Sequence, residues 1–159
     1  VIIDNLAKKG DAKAASFPVP KLDEKEHRYD MSFSGLKTAV IHQCDMFWNE
    51  GYEHSVENMC AAFQETACKT LISRLFKAID DTGIKTVVAG GGVAANSRLR
   101  QLLAERTDIK CIFPPLKLCG DNGAMIAGVA YQMLKRGDRD GWNTTTCARI
   151  PQFKRGLKR

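Results

Sequence analysis

Between Ser55 and Asp80 the apolar residues Val56, Met59, Cys60, Phe63, Ala67, Leu71, Leu75 and Ile79 recur three or four positions apart. At 3.6 residues per turn they share one face, which predicts a single amphipathic helix over 55–80, capped by Ser55 and stopped by Gly83. The β-branched run Lys85-Thr86-Val87-Val88-Ala89 predicts a strand, which Gly90-Gly91-Gly92 ends, and a helix is expected from about Ser97 to Arg106. A second short strand is expected over Lys110–Phe113. The breaker Pro114-Pro115, a Cys119-Gly120-Asp121-Asn122-Gly123 loop and a helix over Ala124–Arg136 follow. Upstream, a short helix is expected near Ile2–Lys9. Beyond it lie the proline-punctuated Phe17-Pro18-Val19-Pro20 and a charged loop from Lys21 to Arg28. The alternation in Tyr29-Asp30-Met31-Ser32-Phe33-Ser34-Gly35 predicts a half-buried strand turning at Gly35, with a helix over Leu36–Trp48. Strands alternating with helices make the chain α/β.

Composition narrows the class. With 159 residues, 44% of them apolar and 26% charged, the chain is neither a disordered polymer nor a collagen-like repeat. No apolar run approaches the ~18 residues of a membrane span. The opening Val1-Ile2-Ile3 has neither the basic flank nor the cleavage site of a secretory signal, and it reads as a cut from a longer chain. Residues 101–159 carry eleven Lys/Arg against five Asp/Glu, which equals the whole net charge of +6. The excess thickens at Arg149, Lys154, Arg155, Lys158 and Arg159. Such an end either attracts a polyanion such as nucleic acid or is a solvated tail, and charge alone leaves both readings open. Six cysteines contain no C-x-x-C pair, which removes the zinc-knuckle and dithiol spacings and favours reduced thiols in a cytoplasm or organelle matrix. His27, His42 and His54 are too scattered for an H-x-x-x-H metal pair, and nothing places a Cys-His-Asn thiol site together.

Three segments have the make-up of chemistry, each with a plainer alternative. Val87-Val88-Ala89-Gly90-Gly91-Gly92-Val93-Ala94-Ala95-Asn96 runs from a strand through glycines into a helix start, where free N–H groups suit a nucleotide. It is neither G-x-G-x-x-G nor a P-loop, and Asn96 could simply cap the helix. Asp121 is either a metal ligand offered on a loop or the N-cap of the last helix; one carboxylate is not a metal site. In Ser32-Phe33-Ser34-Gly35-Leu36-Lys37-Thr38, hydroxyls and a lysine beside a turn could touch phosphate oxygens, or could line an exposed strand face.

In order and wording, the segments Ser32–Val40, Gly91–Arg100 and Asp121–Ala127 resemble the signatures of the TsaD family. These are tRNA adenosine threonylcarbamoyltransferases, formerly described as O-sialoglycoprotein endopeptidases or glycoproteases. The resemblance runs from Val1 to about Gly137. It implies the carboxyl-terminal portion of an actin-like, sugar-kinase-like ATPase fold of two α/β lobes, with a mixed sheet and packed helices. On that reading residues 1–30 are an irregular lead-in from between the lobes, 31–137 the carboxyl-terminal lobe and 138–159 a basic end segment.

The family activity implied is transfer of the threonylcarbamoyl group from threonylcarbamoyl-AMP to the adenosine beside the anticodon. By resemblance Asn96 contacts the adenylate, Gly91 and Gly92 line its nucleotide, and Asp121 ligates a divalent metal, iron or zinc. Ser34 and Lys37 lie in a family signature without an assigned role, and no catalytic residue is assigned. The family's histidine pair and a further adenylate-contacting loop fall upstream of Val1, so the metal is expected to be shared with an amino-terminal lobe and the fragment alone to be inactive. tRNA and accessory proteins of the modification are the implied partners, with no membrane and no DNA. Two rivals differ in class. A metalloendopeptidase suffers from the lack of an H-E-x-x-H helix, and a non-catalytic nucleotide-binding scaffold from intact Asn96 and Asp121.

Overall fold

The structure, a computed structural model, describes residues 1–19, 26–49 and 55–145. The basic positions Arg149, Lys154, Arg155, Lys158 and Arg159, together with Cys147, Pro20 and most of the expected charged loop, lie outside the described residues. The chain divides into a unit from Val1 to Asp121 and a second from Asn122 onward.

In the first unit the chain order is α1 (Ile2–Ala7), α2 (Ser34–Asn49), α3 (Val56–Thr82), β1 (Thr86–Val88), a 3-10 turn (Gly92–Ala95), α4 (Ser97–Ala104), β2 (Lys110–Ile112) and a second 3-10 turn (Leu116–Leu118). α3 forms where the stripe predicts it; stripe residues such as Met59, Phe63, Ala67, Leu71 and Leu75 are partly buried, while the fully buried positions include Ala61, Ala62, Gln64, Cys68 and Ile72 beside them. The Ser55 hydroxyl accepts from the Asn58 N–H at 3.0 Å, an N-cap contributing about 1 kcal/mol, and Gly83 at φ +70° closes the other end in the left-handed conformation. β1 and β2 are parallel, with Val87 opposite Cys111 and Val88 opposite Ile112. The ladder is extended by Lys110 N–H to Lys85 C=O at 2.7 Å and Ala89 N–H to Ile112 C=O at 3.1 Å. Parallel strands require a crossover, and α4 is that crossover.

Two apolar clusters hold this unit together. Cys68 and Ile72 of α3 meet Leu99, Leu102 and Leu103 of α4, with Phe76, Cys111 and Phe113 packed alongside. Leucines buried this far each contribute roughly 1.5–3 kcal/mol. Nearer the start of α3, Ala62 packs against Phe17 and Leu36, so α3 is the common wall behind both clusters. After α1 the chain passes so close to α3 that a Cβ on Gly10 would lie 2.1 Å from the Glu57 carbonyl oxygen. Only glycine fits there. The next residue is tied down by Asp11 N–H to Asn58 Oδ1 at 2.8 Å.

The strand expected over Tyr29–Gly35 does not form. Residues 29–33 have no regular structure, α2 begins at Ser34, and Gly35 sits inside its first turn rather than at a chain reversal. Among the described residues no strand lies beside this segment to complete a ladder with it. Instead the Phe33 carbonyl accepts from Lys37 N–H at 2.9 Å and the Ser34 carbonyl from the Thr38 hydroxyl at 3.1 Å, both bonds of a helix start. Just upstream, Arg28 grips Asp81 at the end of α3 with two bonds of 2.6 Å and the Tyr29 hydroxyl adds a third at 2.9 Å, which fixes the approach. Without that strand the sheet among the described residues is a parallel pair, not mixed.

The second unit contains α5 (Gly123–Arg136), which ends at Gly137 with φ +88°. Gly137 N–H reaches Leu134 C=O and Asp138 N–H reaches Met133 C=O, both at 3.0 Å, so two of the last four carbonyls are satisfied. No helix among the described residues is long and apolar enough to cross a membrane.

Candidate nucleotide-binding edge

Because β1 and β2 are parallel, the loops that leave their carboxyl ends emerge at the same edge of the sheet. That is where open α/β sheets bind ligands. The first loop carries Gly90, Gly91 and Gly92. Gly91 adopts φ +84° and ψ 171°, a conformation essentially confined to glycine. A Cβ at any of the three would meet nothing within 4 Å, so the space above the loop is open.

Asn96 ends this loop and caps α4. Its Oδ1 accepts from the Leu99 N–H at 3.0 Å and from the Cys68 thiol at 3.6 Å, while its Nδ2 donates to Gln64 Oε1 at 2.8 Å. Burial, with the nearby Glu65 charge, pushes the Cys68 thiol up to about 11, so it stays protonated and able to donate. The capping alternative for Asn96 is therefore real, yet it accounts for only one side of the amide.

The residues after Asn96 anchor the loop. Asp4 of α1 accepts from both the Ser97 N–H (3.2 Å) and the Ser97 hydroxyl (2.7 Å), placing a carboxylate at the positive end of α4. Burial raises the Asp4 pKa, but the two Ser97 bonds and the neighbouring Lys8 together outweigh it and the net shift is downward. Arg98 makes a bidentate pair with Glu65, at 2.6 and 3.0 Å, and the guanidinium bonds hold the Glu65 carboxyl down at about 2.

Arg100 joins the two loops. Its guanidinium donates to the Ala94 carbonyl of the glycine loop at 2.7 Å, to the Pro114 carbonyl after β2 at 3.3 Å and to Cys119 Sγ at 3.5 Å, and it lies over the Phe113 ring at 4.3 Å. Cys119, only 1% exposed, thus ties the segment that ends in Asp121 to the loop that ends in Asn96.

Asp121 itself is exposed, and it does not cap the last helix. Asn122 does, with its Oδ1 accepting from the Met125 N–H at 3.3 Å. The N-cap side chain must sit one residue before the helix; α5 starts at Gly123, so that position is Asn122, and Asp121 lies one residue too early to cap. As a metal ligand Asp121 offers a single carboxylate. Among the described residues no three His, Cys, Asp or Glu side chains converge, so a metal at this edge needs further ligands from elsewhere. Ser34 and Lys37 open α2, where Leu36 between them is buried against Ala62.

The family profile described as "TsaD: tRNA N6-adenosine threonylcarbamoyltransferase" matches residues 1–128. The chain belongs to the TsaD family. Among its relatives, proteins named tRNA N6-adenosine threonylcarbamoyltransferase from Treponema denticola and Treponema pallidum are 56% and 50% identical, over 97% and 98% of this chain. One from Borrelia hermsii is 41% identical over 96%. The chain spans 46%, 44% and 45% of these three relatives' own lengths. Gly91, Gly92, Asn96 and Asp121 all fall within the residues matched to the TsaD family.

Sequence reasoning missed Gln64, Cys68, Asp4 and Arg100. One signal was legible: Gln64 lies four residues after Cys60 and four before Cys68, a polar side chain in the middle of the α3 stripe. Asp4 and Arg100 gave no such signal, because the partner of Asp4 is 93 residues away and Arg100 meets two backbone carbonyls and the Cys119 sulfur.

Proposed function

We propose that this chain acts as the carboxyl-terminal portion of a tRNA N6-adenosine threonylcarbamoyltransferase with an actin-like ATPase fold. Residues 1–30 lead in from between the lobes, 31–137 form the lobe and 138–159 form a basic end segment. The observation that carries the reading is the joining of two family motifs, the Gly91–Asn96 loop and the loop ending in Asp121, by Arg100 at the carboxyl edge of the parallel strands. Threonylcarbamoyl-AMP binds with its nucleotide over Gly91 and Gly92, where the open space leaves room for it, and with Asn96 in contact.

The exocyclic amine of the tRNA adenosine attacks the carbamoyl carbonyl carbon. A C–N bond forms, the C–O bond to the phosphate breaks, AMP leaves with the electron pair and the amine gives up a proton. The chain's own part is to hold the AMP half, since fixing one reactant in place removes much of the entropic barrier. Asp121 would supply one bond to a divalent metal, iron or zinc, which when bound would polarise the carbonyl oxygen; its other ligands would come from the amino-terminal portion. The partners are tRNA and accessory proteins of the same modification, in a cytoplasm or organelle matrix, with no DNA or membrane partner. The fragment alone has no catalysis and at best weak nucleotide binding.

Steady-state kinetics of the full-length protein with Asn96→Ala test this reading. The KM for threonylcarbamoyl-AMP is expected to rise about tenfold or more, the cost of one lost ligand hydrogen bond. An unchanged KM removes Asn96 from the nucleotide site.

A further inference from the structure

Gln64 is out of place on hydrophobic grounds. It is 7% exposed, in the apolar stripe of α3, where a leucine would bury more surface and carry no desolvation cost. Its Oε1 is engaged by Asn96 Nδ2, whereas the Asn96 cap needs only Oδ1. Serine or aspartate at position 96 would cap α4 equally well. What asparagine adds is Nδ2, and Gln64 is what that nitrogen meets.

The hydrogen-bond polarity around Asn96 is fixed. The Leu99 N–H demands an acceptor, so Oδ1 must face it, and the Cys68 thiol takes the second lone pair. Nδ2 then faces Gln64, which must present its carbonyl oxygen. Of the two Nδ2 hydrogens one is used and one remains.

We infer that Gln64 is a positioning residue that orients the Asn96 amide so that a bound nucleotide meets an N–H donor rather than a carbonyl oxygen. The inference rests on the proposed contact between Asn96 and the adenylate. Its consequence is chemical: the atom of the nucleotide recognised by Asn96 is an acceptor, such as a ribose hydroxyl oxygen, a phosphate oxygen or an unprotonated ring nitrogen. The cap and the Cys68 thiol hold Oδ1 while Gln64 holds Nδ2, and only with the Gln64 end held is the amide kept in this orientation.

The test uses the full-length protein with its accessory proteins, measuring KM for threonylcarbamoyl-AMP and Ki for AMP. Gln64→Leu is expected to raise both about tenfold with kcat little changed. Gln64→Glu, which keeps an acceptor facing Nδ2, is expected to stay within about threefold. Asn96→Asp keeps the cap and loses the donor, so it is expected to weaken AMP as Asn96→Ala does. In the Asn96→Ala background Gln64→Leu is expected to add nothing further, the non-additivity of residues that act through one another. Should Gln64→Leu not fold, Gln64→Met keeps the length, removes the acceptor and takes its place in every comparison. If Asn96→Ala weakens AMP but the Gln64 variants do not, or if their effects add, Gln64 is only a packed core residue and the inference is overturned. If Asn96→Ala itself changes neither constant, the nucleotide reading of Asn96 falls first and the inference falls with it.

Discussion

Replacing Glu65 with glutamine keeps the shape of the side chain and removes one charge from the pair that holds Arg98. Arg98 follows Asn96 by two residues, so the perturbation loosens the first turn of α4 without touching the loop itself. The pair is bidentate, at 2.6 and 3.0 Å, with Lys69 adding a contact of 3.0 Å, and the Glu65 side chain is 18% exposed. Its carboxyl is held at about 2 against an ordinary 4.5. At 1.36 kcal/mol per pKa unit the full shift corresponds to about 3 kcal/mol, and the water that reaches the pair reduces this to roughly 1–2 kcal/mol. Because the folded pKa is depressed, this stability is fully present above pH 4.5 and is lost as pH falls from there toward 2. Native-state hydrogen exchange of the α4 amides in the full-length protein reads it locally. At pH 6, Glu65→Gln is expected to speed exchange about five- to thirtyfold, the factor that 1–2 kcal/mol represents, with a smaller difference from wild type near pH 3. Equal protection of α4 in the two proteins at pH 6 would refute the reasoning that this pair secures the start of α4.

Gly91→Ala forces a side chain into φ +84°, and a cost of about 1–3 kcal/mol is expected, read as a lower melting temperature together with weaker AMP binding. Asp4→Ala removes both acceptor bonds to Ser97 and is expected to cost about 1–3 kcal/mol in local opening of α4, seen by the same exchange measurement. The lowered Asp4 pKa gives that contribution the same sign as Glu65, present above the ordinary carboxylate range and lost in acid. Charge reversal at Lys154, Arg155, Lys158 and Arg159 is expected to weaken tRNA affinity and flatten its dependence on salt, measured by filter binding at several ionic strengths. A tail that only solvates the chain end would leave both unchanged.

What the sequence made legible was local. The α3 helix, its Ser55 cap and Gly83 stop, and the strand-glycine-helix passage around Gly91 are each written in neighbouring residues, and all three appear where the pattern put them. The failures share a cause. Tyr29–Gly35 alternates like a strand, but a strand exists only beside another, and the segment is instead fixed by Arg28 and Tyr29 gripping Asp81 more than 50 residues away. The cap reading of Asp121 failed on where α5 begins, a one-residue matter that the pattern of Asn122 and Gly123 leaves open. The support around Asn96 was also hidden, because Gln64 and Cys68 reach it from α3 and Asp4 reaches the following Ser97 from α1. Motif resemblance located the loop; the packing supplies the reason that it holds still.

The most direct test of the account is formation of threonylcarbamoyladenosine in tRNA, detected by mass spectrometry of digested tRNA. The full-length protein is supplied with threonylcarbamoyl-AMP and its accessory proteins, as wild type and as Asp121→Ala, and the metal content of each is measured in parallel. Modified tRNA is expected with the wild type, and loss of both bound metal and product with Asp121→Ala. Unchanged metal and turnover in the variant would contradict the assignment of Asp121, and no product from the wild type would contradict the proposed function itself.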